Sequence, residues 1–337
     1  MMTTLRRLTC RIGVIAAIAM SFIVMPAKAQ TDAQFSQYYE VPTFYNPGAV
    51  GQTDLLRIRG GARMQWVGIE NAPRTFIATA DMPLRLGKQR IGLGVIVDQE
   101  SAGLYKSLNL GAQLAYKLRK LGGEFTIGLQ LGMYDQAFKG SEVYLPDGDD
   151  YHEGTDEGIP TQDIHGSAFD VGAGIWYVHK YFHAGISCTH LTSPTIAMNV
   201  ESASGGSETS SDRRFEFQAR RTLYFIAGCN IPIKNTLFEI VPSLLVKSDF
   251  IFTTGEITAR ARYKKFLSFG VGYRWNDAVI ATVAAEIKNF FIGYSYDYAT
   301  SAINRASSGS HEVFAGYSLK LDFSDKNKNR HKSIRIM

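Results

Sequence analysis

Glu124-Phe125-Thr126-Ile127-Gly128-Leu129-Gln130-Leu131-Gly132-Met133 alternates without a break. Phe125, Ile127, Leu129, Leu131 and Met133 share one face, and Glu124, Thr126, Gly128, Gln130 and Gly132 share the other. Successive side chains of a β-strand point to opposite faces, so the stretch predicts a strand with one apolar and one polar surface. The pattern repeats in both directions along the chain. Leu108, Leu110, Ala112, Leu114 and Tyr116 oppose Asn109, Gly111, Gln113 and Lys117. Phe169, Val171, Ala173, Ile175 and Tyr177 oppose Asp170, Gly172 and Gly174, and Leu267, Phe269, Val271, Tyr273 and Trp275 oppose Ser268, Gly270, Gly272 and Arg274.

About 14 such segments follow one another, each near the ~9–11 residues that a tilted strand needs to cross a bilayer. They begin near Leu55, Thr75, Ile91, Ser107, Gly123, Ser167, Tyr181, Glu216, Leu237, Thr254, Phe266, Ala278, Phe290 and His311. The polar faces carry Arg57, Arg59, Arg63, Arg260, Arg262, Glu239, Glu286 and Asp297. Such a face suits a wet lumen and not lipid, where a central Arg costs about 2–4 kcal/mol. On this reading Arg placed at Leu129 impairs insertion far more than Arg placed at Gln130. A soluble sandwich or propeller also has alternating strands, but two features oppose it. The apolar face persists across nearly every strand, and short connections follow every second one. Short periplasmic turns and longer outer loops, here 139–166, 192–215 and 302–310, are the outer-membrane pattern. The fold expected is all-β: a transmembrane antiparallel β-barrel of about 14 strands over residues 55–323. Its even count leaves both barrel ends in the periplasm.

A cleaved signal peptide is expected to precede it, over residues 1–29. Arg6, Arg7 and Arg11 lead the apolar run Ile12–Val24, and Ala27-Lys28-Ala29 suits a cleavage site before Gln30. Of 36 basic residues four lie in this leader, leaving 32 against 31 acidic ones, so the alkaline balance does not argue for nucleic acid. The 17 Tyr, 20 Phe and 32 Gly fit an outer-membrane location. A basic periplasmic tail is expected over 324–337, where Lys326, Lys328, Arg330, Lys332 and Arg335 stand against Asp325.

No stretch reads as a catalytic or cofactor site. Cys188 and Cys229 enter an oxidising compartment, but they fall at opposite depths of adjacent strands, beyond the ~7 Å limit on Cα separation in a disulfide. The run Asp147-Gly148-Asp149-Asp150-Tyr151-His152-Glu153 is dense in carboxylates, yet Tyr151 stands where a calcium loop needs an oxygen ligand. It reads first as a solvated outer loop, with a divalent-cation clamp or a partner-docking surface as alternatives. Ser187 and His190 point to opposite faces under a period of two, which opposes a hydrolase pair.

Residues 30–54 do not alternate. Phe35, Tyr38, Tyr39, Phe44 and Tyr45 surround the turn signal Asn46-Pro47-Gly48. Five aromatics are a poor composition for a solvated linker, so this periplasmic amino-terminal segment is expected to fold against or into the barrel's inner mouth. Gln34-Phe35-Ser36-Gln37-Tyr38 and Tyr45-Asn46-Pro47-Gly48 resemble the opening of the PorP/SprF family of type IX secretion, and Arg63-Met64-Gln65-Trp66 resembles that family's Arg-x-Gln-Trp signature. The similarity runs over essentially the whole chain after the leader. It implies a non-enzymatic, cofactor-free outer-membrane component that supports export or surface attachment of secreted proteins, gliding adhesins among them. The implied partners are periplasmic machinery, secreted cargo and outer-membrane lipid. Candidate partner-binding residues are Phe35, Tyr38, Tyr45, Asn46, Pro47, Lys326, Lys328 and Arg330. The alternative is an independent channel for small solutes, which paired inward charges and the amino-terminal segment would plug.

Overall fold

The computed structural model describes residues 32–321 apart from 88, 144–159, 161, 201–214 and 265. Fourteen of its strands close into a ring. They are β1 (Leu55–Met64), β2 (Arg74–Leu86), β3 (Gln89–Ala102), β4 (Tyr105–Lys120) and β5 (Gly123–Phe138). Next come β6 (Ile164–Val178), β7 (Phe182–Thr189), β8 (Thr222–Cys229), β9 (Phe238–Ser248) and β10 (Thr253–Tyr263). The last are β11 (Leu267–Arg274), β12 (Ala278–Ile287), β13 (Phe290–Ala299) and β14 (Ser310–Lys320). Every neighbour is antiparallel, and β1 closes on β14 with Leu55 opposite Lys320 and Met64 opposite His311. Closure removes the two free edges that an open sheet would offer to other chains.

The register follows the period-two pattern. Leu129 is 42 % exposed and its neighbour Gln130 is buried; Val271 is 66 % exposed. The apolar faces therefore form the barrel's outer wall, where lipid replaces a protein core. Connections at one end are short. Leu121 and Gly122 both have positive φ, 56° and 76°, which matches the right-handed twist of the flanking strands in a two-residue hairpin. The other end carries the long connections after β1, β5, β7 and β13. Outer-membrane barrels keep short turns on the periplasmic side, which sets the sidedness used below.

One expected strand lies elsewhere. The segment beginning at Glu216 does not enter the ring; Phe215–Gln218 pairs instead with Thr195–Val200 in a hairpin at the long-loop end. This hairpin continues onto β6, with Ile164 opposite Val200. The alternation through Phe215 and Phe217 is real, but their aromatic rings pack over the mouth, where Phe217 lies 6.4 Å from Tyr134. The eighth ring strand starts at Thr222. The acidic run 147–153, Phe323 and the tail 324–337 lie outside the described residues.

Candidate functional site: the filled lumen

Residues 32–54 lie inside the barrel. They form three short turns of helix, Tyr38–Glu40, Pro42–Tyr45 and Pro47–Ala49. Asn46 caps the last of these: its Oδ1 accepts from the Gly48 amide at 2.7 Å, while its Nδ2 donates to the carbonyls of Ile175 and Ile186. The Asn-Pro-Gly turn thus ties this plug to β6 and β7. Ser187 of β7 donates to the Tyr45 carbonyl at 2.6 Å and takes no part in a Ser–His pair.

The strand glycines have a use that periodicity alone does not reveal. Inward-facing Gly128 lets the plug backbone come so close that a Cβ there would sit 2.2 Å from the Pro47 carbonyl carbon. At Gly174 a Cβ would lie 2.2 Å from Asn46 Oδ1, and at Gly92 it would lie 2.3 Å from the Val50 oxygen. Absent side chains on β3, β5 and β6 make the groove in which the plug lies.

Apolar packing fills the rest. Phe35, Tyr38 and Tyr45 have no exposed surface, Asn46 has 1 %, and Pro47 is buried. Phe35 meets Phe314 edge-on at 5.4 Å, and Tyr45 meets Tyr224 at 5.3 Å. Ile77, Trp176, Ile226, Leu245 and Phe291 complete this cluster from the strands. Each fully buried large side chain contributes about 1.5–3 kcal/mol. The lumen expected to be wet is, at mid-height, a packed core. Gln130 is part of it, accepting from Gln113, which also donates to the Thr43 carbonyl.

A charged girdle surrounds Ser36 nearer the long-loop end. Arg63 of β1 pairs with Asp297 of β13 at 2.7 Å and with Glu312 of β14 at 3.0 Å. Arg274 of β11 pairs with Glu256 of β10 at 2.8 Å and with Asp297 at 3.2 Å. The Ser36 hydroxyl accepts from both guanidiniums and donates to Asp297, which uses its one donor and two acceptor positions. The Glu312 carboxylate accepts the backbone amides of Ser36 and Gln37, both at 2.8 Å. Asp277, in the β11–β12 turn, also pairs with Arg274 at 3.0 Å, so two arginines face four carboxylates, and plug amides supply further donors. Farther along, Arg260 lies 3.4 Å over the Tyr39 ring and pairs with Glu40.

The plug spans the barrel from end to end. Asp32 lies at the long-loop end, where it accepts from Tyr224 at 2.6 Å and its carbonyl accepts from Lys247. His190, in the β7–β8 connection, stands 3.0 Å from Asp170 and 3.6 Å from Asp32. Burial opposes the charge on that imidazole, but the two carboxylates outweigh it and push its pKa up to about 10. At the short-turn end Asp54 pairs with Arg90, and Lys117 bonds the Gly51 carbonyl and Glu124. The amino-terminal segment therefore reaches well beyond the inner mouth.

Among the residues expected to bind partners, Phe35, Tyr38, Tyr45, Asn46 and Pro47 come together as plug core, and Lys326, Lys328 and Arg330 lie outside the described residues. The girdle of Arg63, Glu256, Arg274, Asp297, Glu312 and Ser36 is a feature that sequence reasoning did not assemble. Its one sequence cue is Arg63, which opens the Arg-x-Gln-Trp signature; Gln65 of that signature is buried beside it in sequence.

Comparison with solved structures returns β-barrels at low identity. The toluene transporter TbuX of Ralstonia pickettii is 11 % identical, with 84 % of this chain and 94 % of that one covered and a TM-score of 0.46. For a Pseudomonas aeruginosa FadL homologue the values are 10 %, 82 %, 92 % and 0.44. For Omp33 of Acinetobacter baumannii they are 8 %, 79 %, 99 % and 0.40. No curated protein sequence matches the chain. The family described as type IX secretion system membrane protein PorP/SprF matches residues 27–317, which hold the plug, its girdle and nearly the whole ring, and this outer-membrane β-barrel belongs to that family.

Proposed function

We propose that the chain is a non-enzymatic accessory barrel of type IX secretion that supports export or surface attachment of secreted proteins. It does so through contacts with periplasmic machinery and with cargo. The observation that carries this reading is the filled lumen. A solute crossing the barrel would have to displace Phe35, Tyr38 and Tyr45, whose side chains are fully buried against the wall. A body closed in this way works through its surfaces. The tail with Lys326, Lys328 and Arg330 offers long-range attraction to machinery at the periplasmic face, with the salt sensitivity that such attraction carries. Phe35, Tyr38, Tyr45, Asn46 and Pro47 serve partner binding from within, by holding the ring in one shape.

The test pairs secretion with capture. Deleting the chain should leave a type IX cargo unexported or unanchored. Truncation after Phe323 should preserve the barrel and reduce co-purification of periplasmic components. Unchanged cargo export, no captured secretion component and solute flux through reconstituted protein would together establish the channel alternative.

A further inference from the structure

The two ends of the described chain lie at opposite ends of the barrel. Leu321 follows β14 at the short-turn end, where its amide donates to the Asp54 carbonyl. Asp32 stands at the long-loop end, among groups that all come from there: Tyr224 near the start of β8, Lys247 near the end of β9, and His190 just after β7. Asp32 also lines a cavity of about 620 Å³ with Glu100, Tyr134, His190, Phe217 and Asp249. These again belong to the outer ends of strands, the outer hairpin and the β9–β10 turn.

We propose that residues 32–54 are a permanent strap that carries the mature amino terminus through the lumen to the cell-surface face, so that the two termini of the mature protein lie on opposite sides of the outer membrane. The strap has no freedom to reverse. At its far end Gly51 and Asp54 are bound to Lys117, Asp81 and Arg90 of the short-turn end. At its near end Ser36 and Gln37 are bound into the girdle by four side chains, one each on β1, β11, β13 and β14. With cleavage before Gln30, only two residues precede Asp32. Asp32, the first described residue, itself lines the cavity together with Glu100 and Asp249. The amino terminus thereby joins the long-loop surface open to a secreted partner. This inference depends on the outer-membrane location and not on the secretion reading, so the two fail separately.

The experiment is site-specific labelling with a membrane-impermeant maleimide. Thr31→Cys is compared with Ser324→Cys in the tail, each in a background where Cys188 and Cys229 are replaced by Ala. Thr31→Cys should be labelled on intact cells, whereas labelling of Ser324→Cys should be lost unless the outer membrane is first opened. In parallel, a short epitope inserted after Gln30 should be recognised by antibody on intact cells. If the buried cavity shields Thr31→Cys from the reagent, the longer epitope still reports the side. Detection of the epitope only after opening the membrane, at wild-type barrel levels, would overturn the proposal.

Discussion

Ser36 shows how much a single small residue holds in this protein. Its hydroxyl and amide join Arg63, Arg274, Asp297 and Glu312 in one buried network. Removing one partner from such a network leaves the others charged and unpaired, which costs about 3–5 kcal/mol. Arg63→Met should therefore lower stability by about that amount, read as a lower temperature for loss of the heat-modifiable band on gels. The glycine groove makes a second prediction. Gly128→Ala should push Pro47 outward and expose the plug to added protease, because its Cβ has no room. Gly60→Ala is the control: its nearest obstacle is the Ile77 oxygen at 3.8 Å, so the plug should stay protected. The alternation of glycine with apolar residues was legible in sequence as strand, but its meaning as a groove was not. A glycine says that space is needed; only the fold says what fills it.

At the level of the strand, the inside and outside faces were readable from period two, because lipid and lumen impose opposite chemistry on alternate residues. Arg at Leu129 or Val271 should cut the amount of assembled barrel several-fold, given a cost of about 2–4 kcal/mol near the membrane midplane. Gln130 is a poor control for this, since it is buried among plug contacts; the half-buried, inward-facing Ser268 is better, and Ser268→Arg should assemble normally. The cysteines test register. Cys188 faces Leu223 across the β7–β8 pair, whereas Cys229 faces Phe182. Six ladder positions separate them, about 20 Å at strand rise. A non-reducing peptide map should show both thiols free, and a Cys188–Cys229 crosslink would contradict the pairing. The one misplaced strand, at Phe215–Gln218, failed for a physical reason. Alternation marks a two-faced strand, and a hairpin packed over the mouth is two-faced as well.

For the whole molecule, the prediction is electrical. Purified protein in planar bilayers should carry no steady current beyond leak, and a variant lacking residues 32–50 should conduct if it still assembles. Steady, open-pore conductance from the intact chain would contradict the filled lumen. The ring of fourteen, its closure and its compartment were legible because each rests on local periodicity and connection length. The girdle was not, because its members come from five separate strands and the plug. No spacing rule links Ser36 to Asp297 before the ring is closed.

The plug also sets an order of events in time. A closed hoop of hydrogen-bonded strands cannot be threaded from the side, and the segment inside it is continuous with β1. The direct route lays residues 32–54 in place before β1 and β14 zip together. Folding of the strap and sealing of the β1–β14 seam become successive steps, and the second holds the first in place. The finished barrel is in this sense drawn tight around the segment that leads into its own first strand.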